Sequence, residues 1–335
     1  MNYKIMAAAA LIVTFVLTVL ISRKLIPVLK SRKMGQKILD IGPRWHKSKE
    51  GTPTMGGIAF IVASLAVGAV CAALLWIWEG AVAALPLIFT LALGLAGGLI
   101  GCVDDAAKLR NKRNEGLTAA QKFLLQLIAA ALYLVGMSLV CKTGTEIYIP
   151  FVDVSIDFGI AYYAIAMLLI CGMLNSVNLT DGIDGLASSV TLVVGIFFGV
   201  SGFMNGLAEP DGATLTLGSL IVGACGGFLV YNLNPARVFM GDTGSIFLGG
   251  LVVGGAFMMK NPLIIVVCGL VYIIETASVM LQVGYFKLTH GKRLFKMAPI
   301  HHHFEKCDWS ENKIVIVFTA VTAVLSALAL LGLSR

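Results

Sequence analysis

Charged residues are scarce in this chain of 335 residues, since Asp, Glu, Lys and Arg make up 13% of it and hydrophobic residues 58%. A soluble globular domain carries about 25% charged residues, so that class is excluded. The seven cysteines lie mostly in apolar runs and lack the paired CxxC spacing of zinc and redox sites, which indicates packing residues. Basic segments with interleaved aromatics are also missing, so we expect no nucleic-acid partner.

Ten apolar runs are each close to the roughly 20 residues that a membrane-spanning helix needs. We therefore predict an all-α integral membrane protein of about ten transmembrane helices in a single polytopic domain, 1–335. The seventh and eighth runs are short and glycine-rich, and the ninth is long enough to tilt or break. The runs centre on residues 6–21, 56–78, 82–103, 121–140, 159–177, 186–204, 214–231, 244–259, 262–286 and 313–333.

Basic residues are concentrated in the loops that follow odd-numbered runs, whereas loops of the opposite parity hold only Lys142 and Lys260. By the positive-inside rule, the odd loops face the cytoplasm and both termini lie outside. On the outer side, the segment 145–157 alternates apolar and polar residues and predicts a small extracytoplasmic hairpin. The cytoplasmic active-site loops are predicted at 23–53, 104–120, 175–185, 232–243 and 287–312.

Four polar segments follow odd-numbered runs: DDAAK at 104–108, NLTDGIDGLA at 178–187, YNLNPARVFMGDTGS at 231–245 and MAPIHHHFE at 297–305. Carboxylates near the hydrocarbon boundary are costly and commonly functional. Asp104 and Asp105 would end the third helix, where the helix dipole disfavours anions, which favours a functional role. Aspartates with amide oxygens suit a hard cation such as Mg²⁺ together with substrate phosphates. The four segments together indicate metal-assisted phosphoryl transfer.

Structural alternatives exist for each segment. Asp181 and Asp184 could cap the next helix, and Asp242 could cap the eighth. Three consecutive histidines make a poor zinc site, because neighbouring helical side chains point about 100° apart. Hydrogen bonding to phosphate or to a leaving group is favoured over a solvated loop. Glu275, an acid deep in the ninth run, is predicted to be a buried polar contact that supports a helix bend.

At these residues the sequence resembles the phospho-N-acetylmuramoyl-pentapeptide transferases, membrane enzymes that make the first lipid-linked intermediate of bacterial peptidoglycan. The match runs from GTPTMGG at 51–57 through all four polar segments. It implies a ten-helix homodimer in the bacterial plasma (inner) membrane, in contact with membrane lipid, with its active site facing the cytoplasm. It further implies Mg²⁺-dependent transfer of phospho-MurNAc-pentapeptide from UDP-MurNAc-pentapeptide to undecaprenyl phosphate, which gives lipid I and UMP.

The resemblance also implies roles for individual residues. Asp104 and Asp105 would be the catalytic acid pair, and Asp242 the catalytic magnesium ligand. Lys122 would face phosphate, Phe239 is a candidate to stack on uracil, and the histidine run would complete the site, with His301 in a catalytic role. The remaining substrate-binding positions would be Lys49, Asn178, Asp181, Asp184, Asn232, Gln282, His302 and His303.

Two questions of chemistry stay open at this point. A phosphate monoester has a second pKa of about 6 and is largely ionised at neutral pH, which favours direct attack by the lipid phosphate, positioned or deprotonated by Asp104 or Asp105; a covalent aspartyl intermediate is the alternative. Transfer of GlcNAc-1-phosphate to a polyprenyl phosphate is the sister activity. A secondary transporter is a remote alternative, since its ionisable residues would lie near the membrane midplane.

Overall fold

A computed structural model describes residues 3–32, 34, 49–111, 116–204 and 211–333. Those residues form twelve helices and a two-stranded sheet, which confirms the nearly all-α prediction. The helices are α1 (Tyr3–Ser31), α2 (Ile58–Glu79), α3 (Ala81–Asn111), α4 (Ala119–Leu139), α5 (Ala161–Thr180), α6 (Leu186–Met204), α7 (Gly212–Asn232), α8 (Gly241–Met258), α9 (Ile264–Cys268), α10 (Leu270–Leu288), α11 (Ile300–Glu305) and α12 (Glu311–Leu331); the strands are β1 (Glu146–Ile149) and β2 (Val154–Asp157).

Nine helices in the described part of the chain, α1 to α8 and α12, are long and apolar enough to cross a membrane. They confirm a multi-pass membrane protein. The predicted ninth span, 262–286, is broken at Gly269 into α9 and α10, as its length allowed. The predicted ninth span is therefore not one continuous apolar helix, and α10 carries Glu275, Gln282 and Lys287 along its length; the predicted tenth span, 313–333, is α12.

The two glycine-rich runs lie at the centre of the bundle. Most of the apolar window is buried in α7 (78%) and α8 (89%), against 33% in α1, α4 and α12. Small residues let helix backbones approach closely, and a Cβ atom on Gly101 would lie 2.1 Å from the carbonyl oxygen of Asp242. This contact brings the first turn of α8 against the end of α3 that carries the acid pair.

Helix α3 continues beyond its predicted boundary at residue 103 and ends at Asn111. Asp104 and Asp105 therefore lie inside the helix, so the prediction that they end it is wrong. An ion pair between Lys108 Nζ and Asp104 Oδ2 (2.7 Å) joins neighbouring turns of this extension. The predicted loops at 23–53 and 175–185 are shortened in the same way, because α1 reaches Ser31 and α5 reaches Thr180; residues 33, 35–48 and 112–115 lie outside the described part.

The predicted hairpin at 145–157 is confirmed. β1 and β2 pair antiparallel, with Glu146 opposite Asp157 and Ile149 opposite Val154. The Phe151 ring lies against the end of α12, where a Cβ atom on Gly332 would come within 2.8 Å of it. Since α12 begins at Glu311 near the polar segments, the hairpin and those segments lie at opposite ends of this helix. The hairpin's predicted extracytoplasmic position and the orientation of the termini stay predictions.

Candidate active site

Asp242, in the first turn of α8, is the centre of an acidic and basic cluster. Its Oδ2 accepts hydrogen bonds from Lys108 Nζ at 2.9 Å and Lys122 Nζ at 2.7 Å. Its Oδ1 accepts one from Asn178 Nδ2 at 2.9 Å. These partners come from α3, α4 and α5, so four helices meet at one carboxylate.

Asp104 shares both lysines with Asp242. Its Oδ2 lies 2.7 Å from Lys108 Nζ and 3.9 Å from Lys122 Nζ. The other oxygen accepts the backbone N–H of Leu117 at 2.7 Å. Two carboxylates, one buried and one half-buried, are tolerated here because two ammonium groups lie between them and balance their charge. We name Asp104, Asp242, Lys108 and Lys122 the Asp242 cluster.

Asp105 has a different environment from its neighbour. Its Oδ2 accepts from the N–H (2.9 Å) and the hydroxyl (2.7 Å) of Thr243, and its Oδ1 accepts from the N–H of Asp242 at 3.2 Å. These N–H groups belong to the first turn of α8 and have no partner within that helix. Asp105 therefore caps α8 from a neighbouring helix, and its negative charge suits the positive end of the helix dipole. It holds Asp242 in place.

Among the described acids of the site, Asp181 has the fewest partners. It is half-buried at the end of α5, and its carboxylate makes no hydrogen bond or ion pair with the described residues. Burial, together with the charges of Asp242, Asp105 and Asp184, raises the pKa of Asp181 well above its usual range. A carboxyl group in that state gains most from a cation or a hydrogen-bond donor brought by a ligand.

Within the ranges that the structure describes, no three His, Cys, Asp or Glu side chains form a ready-made metal site. Mg²⁺ seldom uses such a cage, because it keeps several waters and binds through one or two carboxylates plus substrate phosphates. The adjacent Asp104 and Asp242 carboxylates are that kind of donor set. The residues therefore fit Mg²⁺ bound together with a phosphate substrate.

A second polar group, which we name the Lys49 junction, lies beside the cluster and consists of Lys49, Asp184, Asn234 and Glu311. Lys49 Nζ lies 2.8 Å from Asp184 Oδ1 and 2.6 Å from Glu311 Oε2. Asp184 Oδ2 accepts from Asn234 Nδ2 (3.0 Å) and from the N–H of Ala236 (2.9 Å). The junction ties together the segment at 49–57, the loop at 181–185, the loop at 233–240 and the start of α12. In this structure Lys49 and Asp184 have protein partners.

Asn232 is the last residue of α7, and Phe239 belongs to the loop between α7 and α8. Asn232 is buried, with Nδ2 donating to the Val238 carbonyl (3.0 Å) and Oδ1 accepting from the N–H of Gly185 (3.2 Å), so it shapes the loop. Phe239 is half-buried, and its N–H donates to the Pro53 carbonyl at 2.8 Å. Stacking of uracil on Phe239 stays a prediction.

The three histidines point to different partners. His301 Nδ1 lies 2.9 Å from Glu275 Oε2, and both side chains are buried. His302 pairs with Glu305 through its Nδ1, and His303 Nδ1 accepts the N–H of Lys296 at 3.1 Å. The structure does not bring them together on one ligand position.

Glu275 makes a buried polar contact, as predicted, and its partner is His301; the helix breaks at Gly269, and support of a bend by Glu275 stays a prediction. Gln282 Oε1 accepts the N–H of Phe295 at 2.8 Å, and no contact with the Asp242 cluster is found among the described residues. Both side chains support the segment that leads to the histidines.

Comparison with known proteins agrees with this geometry. Residues 86–260 match glycosyl transferase family 4, and residues 49–61 match phospho-N-acetylmuramoyl-pentapeptide-transferase signature 1. The phospho-N-acetylmuramoyl-pentapeptide-transferase of Clostridioides difficile is 43% identical, over 96% of this chain and 96% of its own length. The enzyme of Clostridium acetobutylicum is also 43% identical, over 97% of this chain and 98% of its own length. That of Caldicellulosiruptor bescii is 43% identical over 96% of this chain and 95% of its own length. The chain belongs to the phospho-N-acetylmuramoyl-pentapeptide-transferase family.

A phospho-N-acetylmuramoyl-pentapeptide-transferase is an enzyme of peptidoglycan precursor synthesis, and the nine apolar helices embed this one in a membrane. The signature covers Lys49 and the GTPTMGG segment, and the family match covers the whole Asp242 cluster. Glu275, His301 and Glu311 lie outside both matched ranges.

Two functional contacts were not predicted from the sequence. Lys108 could have been assigned, because it lies four residues after Asp104 and therefore on the same helix face. Glu311 has no comparable signal, since it bonds to the N–H of Asp184, 127 residues away. Only the meeting of α12 with the 181–185 loop makes it part of the site.

Proposed function

We propose that this transferase moves phospho-MurNAc-pentapeptide from UDP-MurNAc-pentapeptide to undecaprenyl phosphate, which yields lipid I and UMP with Mg²⁺ as cofactor. The observation that carries the proposal is the convergence of two carboxylates and two lysines from α3, α4 and α8 on one point. The relatives from Clostridioides difficile and Clostridium acetobutylicum, both phospho-N-acetylmuramoyl-pentapeptide-transferases, support the muramoyl substrate. We place the enzyme in the bacterial plasma membrane with this cluster on the cytoplasmic side, as the positive-inside rule predicts.

Asp242 and Asp104 would hold the cation, which supplies neutralising charge for the departing UMP phosphate. Lys108 and Lys122 now share those carboxylates. When a diphosphate substrate enters, their ammonium groups are the nearest donors for its oxygens, and positive charge that is already in place costs little reorganisation. The lysines thus stabilise negative charge on the substrate.

The structure supports Asp104, rather than Asp105, as the acid that meets the acceptor. Both oxygens of Asp105 accept bonds from the start of α8, whereas Asp104 Oδ2 faces the lysines. The lipid phosphate is largely ionised at neutral pH, so Asp104 needs only to position it or take up a remaining proton. Attack on the β-phosphorus in one step, with UMP as the leaving group, is then sufficient. The homodimer stays an expectation of the family resemblance.

The test is an assay of UMP release and lipid I formation by purified protein, with and without Mg²⁺. UDP-GlcNAc in parallel distinguishes the sister activity, transfer of GlcNAc-1-phosphate. We expect product only from the muramoyl donor and only with the cation. Activity that persists after chelation of the cation would contradict the cofactor assignment, and a phosphorylated aspartate that turns over on addition of lipid would contradict the one-step reaction.

A further inference from the structure

Glu275 on α10 and His301 on α11 form a pair in the interior, and both side chains are 0% exposed. Glu275 Oε2 lies 2.9 Å from His301 Nδ1. The remaining polar atom of each, Glu275 Oε1 and His301 Nε2, is buried without a hydrogen-bond partner among the described residues. Since buried polar atoms almost always have a partner, the fold alone does not explain His301 Nε2.

His301 Nε2 lies directly beneath the loop that carries Asp181 and Asp184. A Cβ atom on Gly182 would come within 2.2 Å of this nitrogen. Gly182 itself is exposed, so a single α-carbon covers the nitrogen at the edge of the site. Access of a ligand atom to His301 Nε2 therefore requires Gly182 to move.

The protonation state of the Glu275–His301 pair decides whether His301 Nε2 donates or accepts a hydrogen bond. A buried pair with net charge is costly, so its electroneutral forms are favoured. One such form is imidazolium with carboxylate, in which both ring nitrogens carry a proton. A second is a neutral imidazole that accepts the proton of a carboxylic acid at Nδ1, which leaves the ring proton on Nε2. In these two forms His301 Nε2 is a hydrogen-bond donor, whereas a carboxylic acid with its proton on Glu275 Oε1 would accept from Nδ1 and leave Nε2 an acceptor.

We propose that Glu275 is a positioning residue that keeps His301 Nε2 protonated beneath Gly182, where it donates a hydrogen bond to an oxygen of the bound nucleotide. The inference rests on the proposed function, because it takes a nucleotide as the ligand. It gives His301 a different role from His302, which pairs with Glu305, and from His303, which accepts the Lys296 N–H.

The test measures UMP affinity by calorimetry for wild type, Glu275→Leu, His301→Ala and the double variant. A charge-assisted hydrogen bond corresponds to about ten- to a hundred-fold in affinity, and we expect each single variant to lose that much. Because both changes remove the same donor, the double variant should be no weaker than either single one. Losses that multiply in the double variant would overturn the proposal. A parallel titration with uridine, which has no phosphate, shows whether the acceptor is a phosphate oxygen. If it is, the variants should bind uridine with the same affinity as wild type.

Glu275→Gln keeps the proposal testable if the Glu275→Leu variant is unstable. Its amide can donate to His301 Nδ1 and leave the proton on Nε2, so it should retain more UMP affinity than Glu275→Leu. Equal losses in both variants would contradict us. Tyr272→Phe is the matched control on the same helix, because it removes a buried bond to Thr191 (2.8 Å) without touching His301.

The control variant should bind UMP as wild type does, with any change confined to the melting temperature. A Glu275→Leu enzyme with the same UMP affinity and turnover as Tyr272→Phe would contradict the positioning role of Glu275. Wild-type protein that binds UMP but forms no lipid I would instead refute the proposed function, so the two failures are separable.

Discussion

The Asp242 cluster and the Lys49 junction contain similar residues but use them differently. In the junction, Asp184 accepts from Lys49, Asn234 and a backbone N–H, so its carboxylate is complete within the protein. In the cluster, Asp104 and Asp242 share two lysines, and the neighbouring Asp181 carboxylate has no partner among described residues. Asp242 accepts as many hydrogen bonds as Asp184, so the comparison teaches that the two shared lysines and the neighbouring unpartnered Asp181 carboxylate, rather than unmet bonding of Asp242, prepare the cluster for a ligand.

The largest expected effect is the loss of activity when the Asp242 cluster is changed. Asp242→Asn removes the charge that faces both lysines and should lower the rate of UMP release by about 10³-fold, the scale of losing one electrostatic contact to a transition state. The melting temperature should change little. Asp153→Asn, on the hairpin at the other end of α12, is the matched control and should retain full activity. Turnover near the wild-type rate in Asp242→Asn would place the chemistry elsewhere.

Substitutions of Asp104 and Asp105 should have different effects, one mainly on turnover and the other mainly on stability. Asp105→Asn weakens the cap on α8 and should destabilise the protein by about 1.5–3 kcal/mol, the range for hydrogen bonds to a charged group. Asp104→Asn should lower turnover with a smaller loss of stability, because its lysines keep Asp242 as a partner. Thermal unfolding in detergent and UMP release, measured on both variants, test this difference. The reverse pattern would make Asp105 the acid that meets the substrate.

A double-mutant cycle tests whether the Lys49 junction is structural. Lys49→Met and Glu311→Gln should each destabilise the protein, and their effects should couple by about 1 kcal/mol, because the residues are in contact. Additive effects on stability, with a raised KM in Lys49→Met alone, would show that Lys49 contacts substrate, as the resemblance implies. That result would remove the distinction between the two regions.

The smallest expected effect depends on pH. Burial raises the pKa of Asp181 in the folded protein. The folded state is therefore most stable, with respect to this group, below the usual Asp pKa of about 3.9, where Asp181 is protonated in both states. This stability is lost as the pH rises from there toward the raised pKa, because the unfolded chain ionises more readily. Asp181→Asn should therefore melt higher than wild type at neutral pH, with a difference that vanishes in acid.

Asp157 on the hairpin is the control for that experiment. The Thr145 hydroxyl and the Gly159 N–H lower the pKa of Asp157, so Asp157→Asn should melt slightly lower than wild type at neutral pH. That difference should disappear as the pH falls through the lowered value. Melting curves that shift in the same direction for both variants would contradict the assignment of Asp181.

Much of the site was predictable because its residues occur in short polar segments between apolar runs. Asp104, Asn178 and Asp242 were assigned on that ground and Lys122 from the family resemblance, and the structure brings the four together. The separate roles of Asp104 and Asp105 were not predictable, since adjacent residues in one segment give no information on which of them meets the start of α8.

The amino-acid sequence by itself determined that this is a multi-pass helical membrane protein of a known transferase family, because span length and hydropathy are local properties and the motifs are contiguous. The tertiary structure decided which acids are left open to a ligand and which are saturated. It also placed Glu275 beneath the 181–185 loop through His301, and Glu311 against Lys49. Those assignments depend on hydrogen bonds between residues far apart in the chain, and only helix packing creates them.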